Sequence, residues 1–534
     1  MADIAASGSI LSLPLRSNLF SVSKLSCFPH KSFSGQHAKL VRMKTTTTLT
    51  CNDQESNRKF KKLPPSKLGH QFLFAQLDIS GTCSCFLSMF SSKSVESTKQ
   101  IILLIYMLVS LGVACHFEDE IEESLEEGFE KIHEMIAGED DLYTISTMFW
   151  VFRTYGYYMS SDVFKRFKEE NEKFKESLIG DVKGMVSLYE AAHLRTTKDD
   201  ILDEALSFTT SNLDSLAIAG ASSPHISMRI RNALCMPQHY NAKMVFTREY
   251  LSFYEQEEDH NKMLLRFAKI NFKFMQLHWI QELKTLATKM FKLFSIIDDT
   301  CDRYGNVSEV AALVQCVERW DPDYVENLPD YMKTIFKFAW NTFKECESVG
   351  RSEEGLSYNV QGALEEWEYG DVMPTFDEYL EIGGVEVTMH ISLAVSFLGL
   401  GQIDREQGYE WLKSRPKFVD DQGKKGRLMN DLSGFEDDMS RGYVTNAIKY
   451  YMNQYKVTEG EAFTRLQKMV RDLDKTVNEE ILKTPKSVPR EVLKRATDLG
   501  KMIEFAYRTG DEYAHPEGRF KEHIKSLFFN LISI

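Results

Sequence analysis

The 534-residue sequence predicts an all-α fold. Three observations carry that expectation. Apolar residues recur at helical spacing behind capping residues, as at Val492, Leu493, Ala496, Leu499 and Ile503 after Pro489. Runs of alternating β-branched residues bounded by turns, the mark of half-buried strands, are scarce. No Gly or Pro interrupts the chain between Pro237 and Gly305, so nothing there ends a helix. With 43% hydrophobic residues, a chain of this length can bury sizeable cores and fits two domains.

The elements follow in order. Met1 to Thr50 holds six Lys/Arg, a single acid at Asp3, and many Ser and Thr. That is the composition of an organelle transit peptide, without the continuous apolar core of a secretory signal. A disordered tail is the other reading. Ile101 to Cys115 is the longest apolar run, interrupted by Ser110 and Gly112, and the acidic FEDEIEESLEEGFE follows at once. It is shorter than the roughly 18 to 20 residues that span a bilayer. It reads as a buried helix beside a neighbour with a solvated acidic face, and no membrane span is expected.

Ser161 and Asp162 should cap a helix whose Phe164, Phe167, Phe174 and Leu178 share one face before Gly180 stops it. Gly220, Ser222, Ser223, Pro224 and Pro237 mark a linker across Ala219 to Pro237. Beyond it, with Asn261 as cap, Lys262 to Tyr304 would be one helix of about 65 Å at 1.5 Å per residue. That is too long for a compact bundle, so a segment that turned the chain is missing. Gly383 and Gly384 should break a later helix.

Charge and cysteine usage narrow the function classes. A formal charge of -14 argues against a nucleic-acid partner. Nine cysteines show no repeated spacing, and Cys83 and Cys85 form a lone CxC, so neither a zinc site nor a disulfide framework is expected.

The chemistry concentrates in two stretches. In FSIIDDTCDRYG, Asp298 and Asp302 fall four apart on one helical face with Asp299 beside them. An acidic, solvated helix end is one reading. The other is a hard-cation site, because the preceding Phe294, Ile296 and Ile297 should run into a core, where carboxylates need a partner or a metal. Oxygen-only ligands favour Mg2+, which keeps waters and bridges to substrate phosphates. In RLMNDLSGFEDDMSRG, Asn430, Gly434 and Asp438 form a second helical stripe with Arg427 one turn earlier. Two such stripes facing one another could hold Mg2+ ions around a diphosphate.

Here the chain resembles the plant class I terpene synthases, from about Lys62 to Ile534. The resemblance rests on IIDDTCDRYG and RLMNDLSGFEDDMSRG, supported by Leu188 to Leu213, Leu264 to Leu283 and Asp511 to Ile524. It implies two α-helical domains, residues 53–236 capping the site and residues 237–534 forming the class I terpenoid synthase bundle, behind a transit segment 1–52. It further implies a prenyl diphosphate substrate of C15 to C25, and Mg2+ or Mn2+, up to three ions, bound by Asp298, Asp299, Asp302, Asn430, Gly434 and Asp438. Arg427 would hold diphosphate oxygens, although a surface ion pair is equally open for it. Trp279, Phe274, Asp511 and Tyr513 match segments that line the family's pocket, with core packing as the alternative for the aromatics. The break at Gly383 and Gly384 would face the same pocket. A monomer in the plastid is expected, with the cytoplasm as the alternative, since the match is mostly to sesquiterpene-type members.

Departures from the family pattern are equally specific. Gly434 lacks the central hydroxyl of the second motif, and Asp438 is one methylene shorter than the usual Glu. LATKM runs straight into FKLFSIIDD after Met290, where the family has a helix and an Arg-x-Arg loop that clamps diphosphate. Shortenings are also expected between Trp367 and Pro374 and within Leu77 to Lys93. These keep two rivals open: a catalytically inactive relative, and an all-α scaffold that binds protein partners.

Overall fold

A computed structural model of the chain describes residues 95–219, 223–282, 286–326, 328–349, 375–440 and 445–533; within these, the side chains of 280–282, 286–287 and 302–303 are among those outside the description. The transit segment 1–52 and the shortenings expected within Leu77 to Lys93 and between Trp367 and Pro374 lie outside the described residues. The fold is all-α. Among the described residues the one strand-like feature is an isolated bridge between Lys168 and Phe174.

The apolar run forms α1 (Val95–Ser110), which buries Ile101, Ile102, Ile105 and Leu108. It stops at Ser110 rather than reaching Cys115, because Gly112 takes a positive φ of 72° and turns the chain. The acidic stretch is α2 (Glu118–Glu130), with Ile121 and Leu125 inward. Its outward Glu122 and Glu118 meet Arg490 at 3.2 Å and Lys494 at 3.3 Å, near the other end of the sequence. After α3 (Ile132–Ile136) comes α4 (Leu142–Thr154), capped by Asp141, whose Oδ2 accepts the Thr144 N–H at 2.9 Å. Next are α5 (Val182–Ala192), α6 (Asp200–Ala219) and α7 (Pro224–Cys235).

Two sequence expectations fail here. Ser161–Phe167 and Glu176–Gly180 are short 3-10 turns rather than one α-helix. Between them Asn171 Oδ1 accepts the Lys173 N–H at 2.9 Å, a local turn that competes with helix, while Phe164, Phe167 and Phe174 are still buried. Much of the expected linker is likewise helix, since Pro224 starts α7 with its pre-set φ.

The second half comprises α8 (Lys243–Tyr254), α9 (Lys262–Glu282), α10 (Leu286–Asp299), α11 (Val307–Arg319) and α12 (Asp330–Val349). It continues with α13 (Phe376–Glu386), α14 (Met389–Phe397), α15 (Gln402–Lys413) and α16 (Lys417–Ser440). The last four are α17 (Ala447–Tyr455), α18 (Glu459–Lys483), α19 (Arg490–Tyr507) and α20 (Arg519–Phe528). Asn261 caps α9 through the N–H groups of Met263 and Leu264. The single long helix expected from Lys262 to Tyr304 is instead two, α9 packed on α8 and α20, α10 on α12 and α14.

Gly383 and Gly384 do not break α13. The chain turns later, at Thr388 with φ 60°. Their role is contact: a Cβ on Gly423 of α16 would lie 2.2 Å from the Gly384 carbonyl oxygen, and one on Gly383 would meet Arg427 Cδ at 2.6 Å. Glycines on both helices let the two backbones cross at short range. Among the described residues one stretch, Phe376–Phe397, is long and apolar enough to cross a membrane, but the turn at Thr388 divides it and about half of it is buried within the protein.

The largest core joins α1, α4, α8 and α9 to Met502, Phe505, Phe520, Leu527 and Phe528 of α19 and α20. A second core packs Leu393, Phe397, Phe418 and Val492 between α14, α16 and α19. A third packs Phe376, Leu428, Phe435 and Leu466 between α13, α16, α17 and α18. With each such side chain stabilising by roughly 1.5–3 kcal/mol, α16 is held from two sides.

Candidate active site

The first acidic motif sits at the end of α10. Met290 and Leu293 are fully buried and fix the helix, whereas Ile296 is 40% exposed and does not follow them inward as the sequence reading expected. Asp298 and Asp299 are exposed. Beyond them the helix widens into a π turn, Thr300–Tyr304, in which the Gly305 N–H donates to the Thr300 carbonyl at 2.6 Å. Such turns inside helices occur often at functional sites. The strict α register that would stack Asp298 under Asp302 is therefore loosened, and the Asp302 side chain lies outside the described set.

The second motif lies on α16 and is built differently. Arg427 donates to Asn430 Oδ1 and pairs with the fully buried Asp431. Asp431 Oδ2 also accepts the Tyr379 hydroxyl at 2.7 Å and the Ala447 N–H at 2.9 Å. Burial pushes the Asp431 carboxyl up, and Arg427 and these donors oppose it. Asn446 Nδ2 donates to the Asp431 carbonyl at 3.1 Å and to Asp438 Oδ2 at 3.0 Å, while its Oδ1 caps α17. Two turns before Asp431, Lys425 is buried between Asp474 of α18, at 2.5 Å, and Glu504 of α19. Arg508 Nε reaches the same Glu504 at 2.9 Å. Burial alone would raise the Glu504 carboxyl, but Arg508 and Lys425 prevail and hold it at about 2. Both cations also lie over the Tyr240 ring, at 5.0 and 4.5 Å.

Tyr507, at the end of α19, feels the charge of both motifs. Burial raises its hydroxyl pKa, Asp511 and Asp298 raise it further, and Arg427 opposes them. Groups from α10, α16 and the loop after α19 thus act on one hydroxyl. Tyr513 joins them, its ring 6.5 Å from that of Tyr507. Trp279 does not join: it is 4% exposed, edge-to-face with Phe272 at 5.6 Å, in the largest core. Phe274 sits against His278 at 5.3 Å. Sequence reasoning missed Asp431, Asn446, Tyr379 and Tyr507. The Asn before the apolar AIKYY was a readable cap signal; the others depend on distant partners.

The donors fit a hard divalent cation. Asn430 and Asp438 on α16 and Asp298 and Asp299 on α10 offer oxygen only. At Gly434 a Cβ would lie 3.7 Å from Asp511 Oδ2 and 3.9 Å from Asp438 Oδ2, so two carboxylate oxygens flank the position where a side chain is absent. Among the described residues no three His, Cys, Asp or Glu side chains already surround one point.

Comparisons with known proteins match both halves of the chain. Residues 75–234 match a family model described as terpene synthase, N-terminal domain, and residues 280–476 one described as terpene synthase family, metal binding domain. Terpenoid synthase 1 of Arabidopsis thaliana is 71% identical over 589 aligned positions, covering 100% of this chain and 98% of that protein. The alignment exceeds the chain by roughly 55 positions, so that relative carries segments with no counterpart here. Alpha-barbatene synthase of the same plant is 45% identical, covering 90% of this chain and 98% of its own. Isoprene synthase from grey poplar leaves (Populus x canescens), in a structure holding three Mg2+ ions and dimethylallyl-S-thiolodiphosphate, shares the fold with TM-score 0.73 at 24% identity, over 85% of this chain and 97% of that one.

Proposed function

The chain belongs to the terpene synthase family, and from that premise we propose that it ionises a prenyl diphosphate of C15 to C25 and cyclises the resulting carbocation. The observation that carries this reading is the second oxygen-rich motif, where Asp438 and Asp511 bring carboxylate oxygens to 3.9 and 3.7 Å from the position a Cβ at residue 434 would take. Asp298, Asp299 and Asp302 would hold metal on one wall, Asn430 and Asp438 on the other. Mg2+, with Mn2+ as the alternative and up to three ions, supplies Lewis acidity toward the departing diphosphate. Arg427, already turned toward the Asn430 oxygen, would hold diphosphate oxygens. Tyr507 and Tyr513 would wall the cation from water and offer ring faces to it. Trp279, buried against Phe272 in the largest core, takes the packing role that was its alternative.

The rest of the reading follows the sequence: a transit segment 1–52 directing the chain to the plastid, helical domains 53–236 and 237–534, and a monomer. The absent positions relative to terpenoid synthase 1 favour one rival, an inactive relative. One experiment separates them. The full chain and the chain from residue 53 are offered C10, C15, C20 and C25 diphosphates with Mg2+, and hydrocarbons are analysed by mass spectrometry. Product that disappears with chelator and with Asp298→Ala supports the synthase; folded protein without product supports the inactive relative.

A further inference from the structure

Gly434 has no oxygen to offer a metal, yet the atoms around it are ordered toward the gap it leaves. Asp511 Oδ1 accepts the Ala514 N–H at 2.9 Å, and the Asp511 carbonyl accepts the His515 N–H at 3.0 Å, so this turn fixes the carboxylate from behind. Its other oxygen, Oδ2, faces the gap, 3.7 Å from the Cβ that residue 434 would carry. Asp438 Oδ2 lies 3.9 Å from the same point and accepts the Asn446 side-chain N–H at 3.0 Å.

We infer that Asp511 supplies the metal oxygen that position 434 lacks, so that Asn430, Asp438 and Asp511 form the metal set of the α16 wall. The inference rests on the metal-dependent reading above. Replacing a neutral hydroxyl by a carboxylate adds a negative charge to the set, and ligand charge is one of the terms that tune affinity for a divalent ion. It also ties the metal to the loop after α19, the element that carries Tyr513 toward Tyr507. Metal binding would then order that loop against α16. A water in the gap would do neither.

The test reads metal binding, not turnover. Equilibrium dialysis of the full chain against Mn2+, at constant inorganic diphosphate, gives the affinity of the wild type and of Asp511→Asn, Asp438→Asn, Gly434→Ser and Gly434→Ser/Asp511→Asn. Asn keeps the acceptor for Ala514, and a Cβ at 434 meets only ordinary contacts, so both changes fit the fold. The expected result is a loss of roughly tenfold or more for Asp511→Asn, of the size seen when groups around a metal are removed, and recovery of most of it when Ser is added at 434. Unchanged affinity in Asp511→Asn beside a loss in Asp438→Asn would overturn the inference and leave the metal site standing. Unchanged affinity in both would remove the metal reading of this wall, and the inference with it. A loss in Asp511→Asn that Ser at 434 does not recover would mean the carboxylate acts elsewhere, and would also overturn it.

Discussion

The two acidic walls of the site are built on opposite principles. On α16 the candidate residues stand among buried charges: Arg427 on Asp431, Asp431 on Tyr379 and Ala447, Lys425 between Asp474 and Glu504. On α10 the carboxylates are carried past the core on an exposed helix end that opens into a π turn. The first wall is rigid because breaking any pair strands a buried charge. The second is anchored further back, by the buried Met290 and Leu293, and presents its carboxylates beyond that anchor at an exposed helix end. One wall sets its carboxylates in a buried network; the other presents them at a helix end.

That contrast can be broken at several points, beginning with the largest effect. Asp431→Ala removes the shared partner of Arg427 and Tyr379 at a fully buried position, and should cost about 3–5 kcal/mol in denaturant unfolding. A loss below about 1 kcal/mol would show that the α16 network is not what fixes this wall. Next comes pH. The Glu504 carboxyl is held at about 2, below its ordinary 4.5, so its stabilisation is complete above 4.5 and lost as pH falls toward 2. Burial shifts Asp474 the opposite way, so the difference between wild type and Glu504→Gln, rather than either curve, isolates it. That difference should shrink across this window in acid-unfolding curves; a constant difference would sink the assignment.

Asp298→Ala should behave in reverse on the exposed wall. Diphosphate release should fall about 100-fold, equivalent to about 2.7 kcal/mol, while the unfolding free energy moves by no more than ~0.5 kcal/mol. The smallest effect belongs to the surface: Glu122→Gln, which removes an exposed pair with Arg490, should change stability by under ~1 kcal/mol and less still at high salt. A larger loss there would mean that α2 matters to the position of α19.

What the sequence revealed follows the same division between local and distant causes. The stripe after Pro489 was legible because Val492, Ala496 and Ile503 repeat at helical spacing and are all buried. Both acidic stripes were legible as motifs for the same reason. The 161–180 segment was misread because an Asn171 turn overrides a favourable apolar pattern. Gly383 and Gly384 were misread because their purpose depends on Gly423, on another helix. Asp431 looked like one more acid in an acidic run, and its meaning comes from Tyr379, 52 residues away. The π turn at Thr300 had no signature in composition at all.

Joint action of the two walls on one substrate is what the proposed function requires. Its most direct test measures magnesium-dependent diphosphate release from a C15 diphosphate for the full chain, Asp298→Ala, Asp438→Ala and the double variant. Each single change should cost nearly as much as both together, because neither wall ionises the substrate alone. Losses that simply multiply in the double variant would show two independent contributions and contradict the claim.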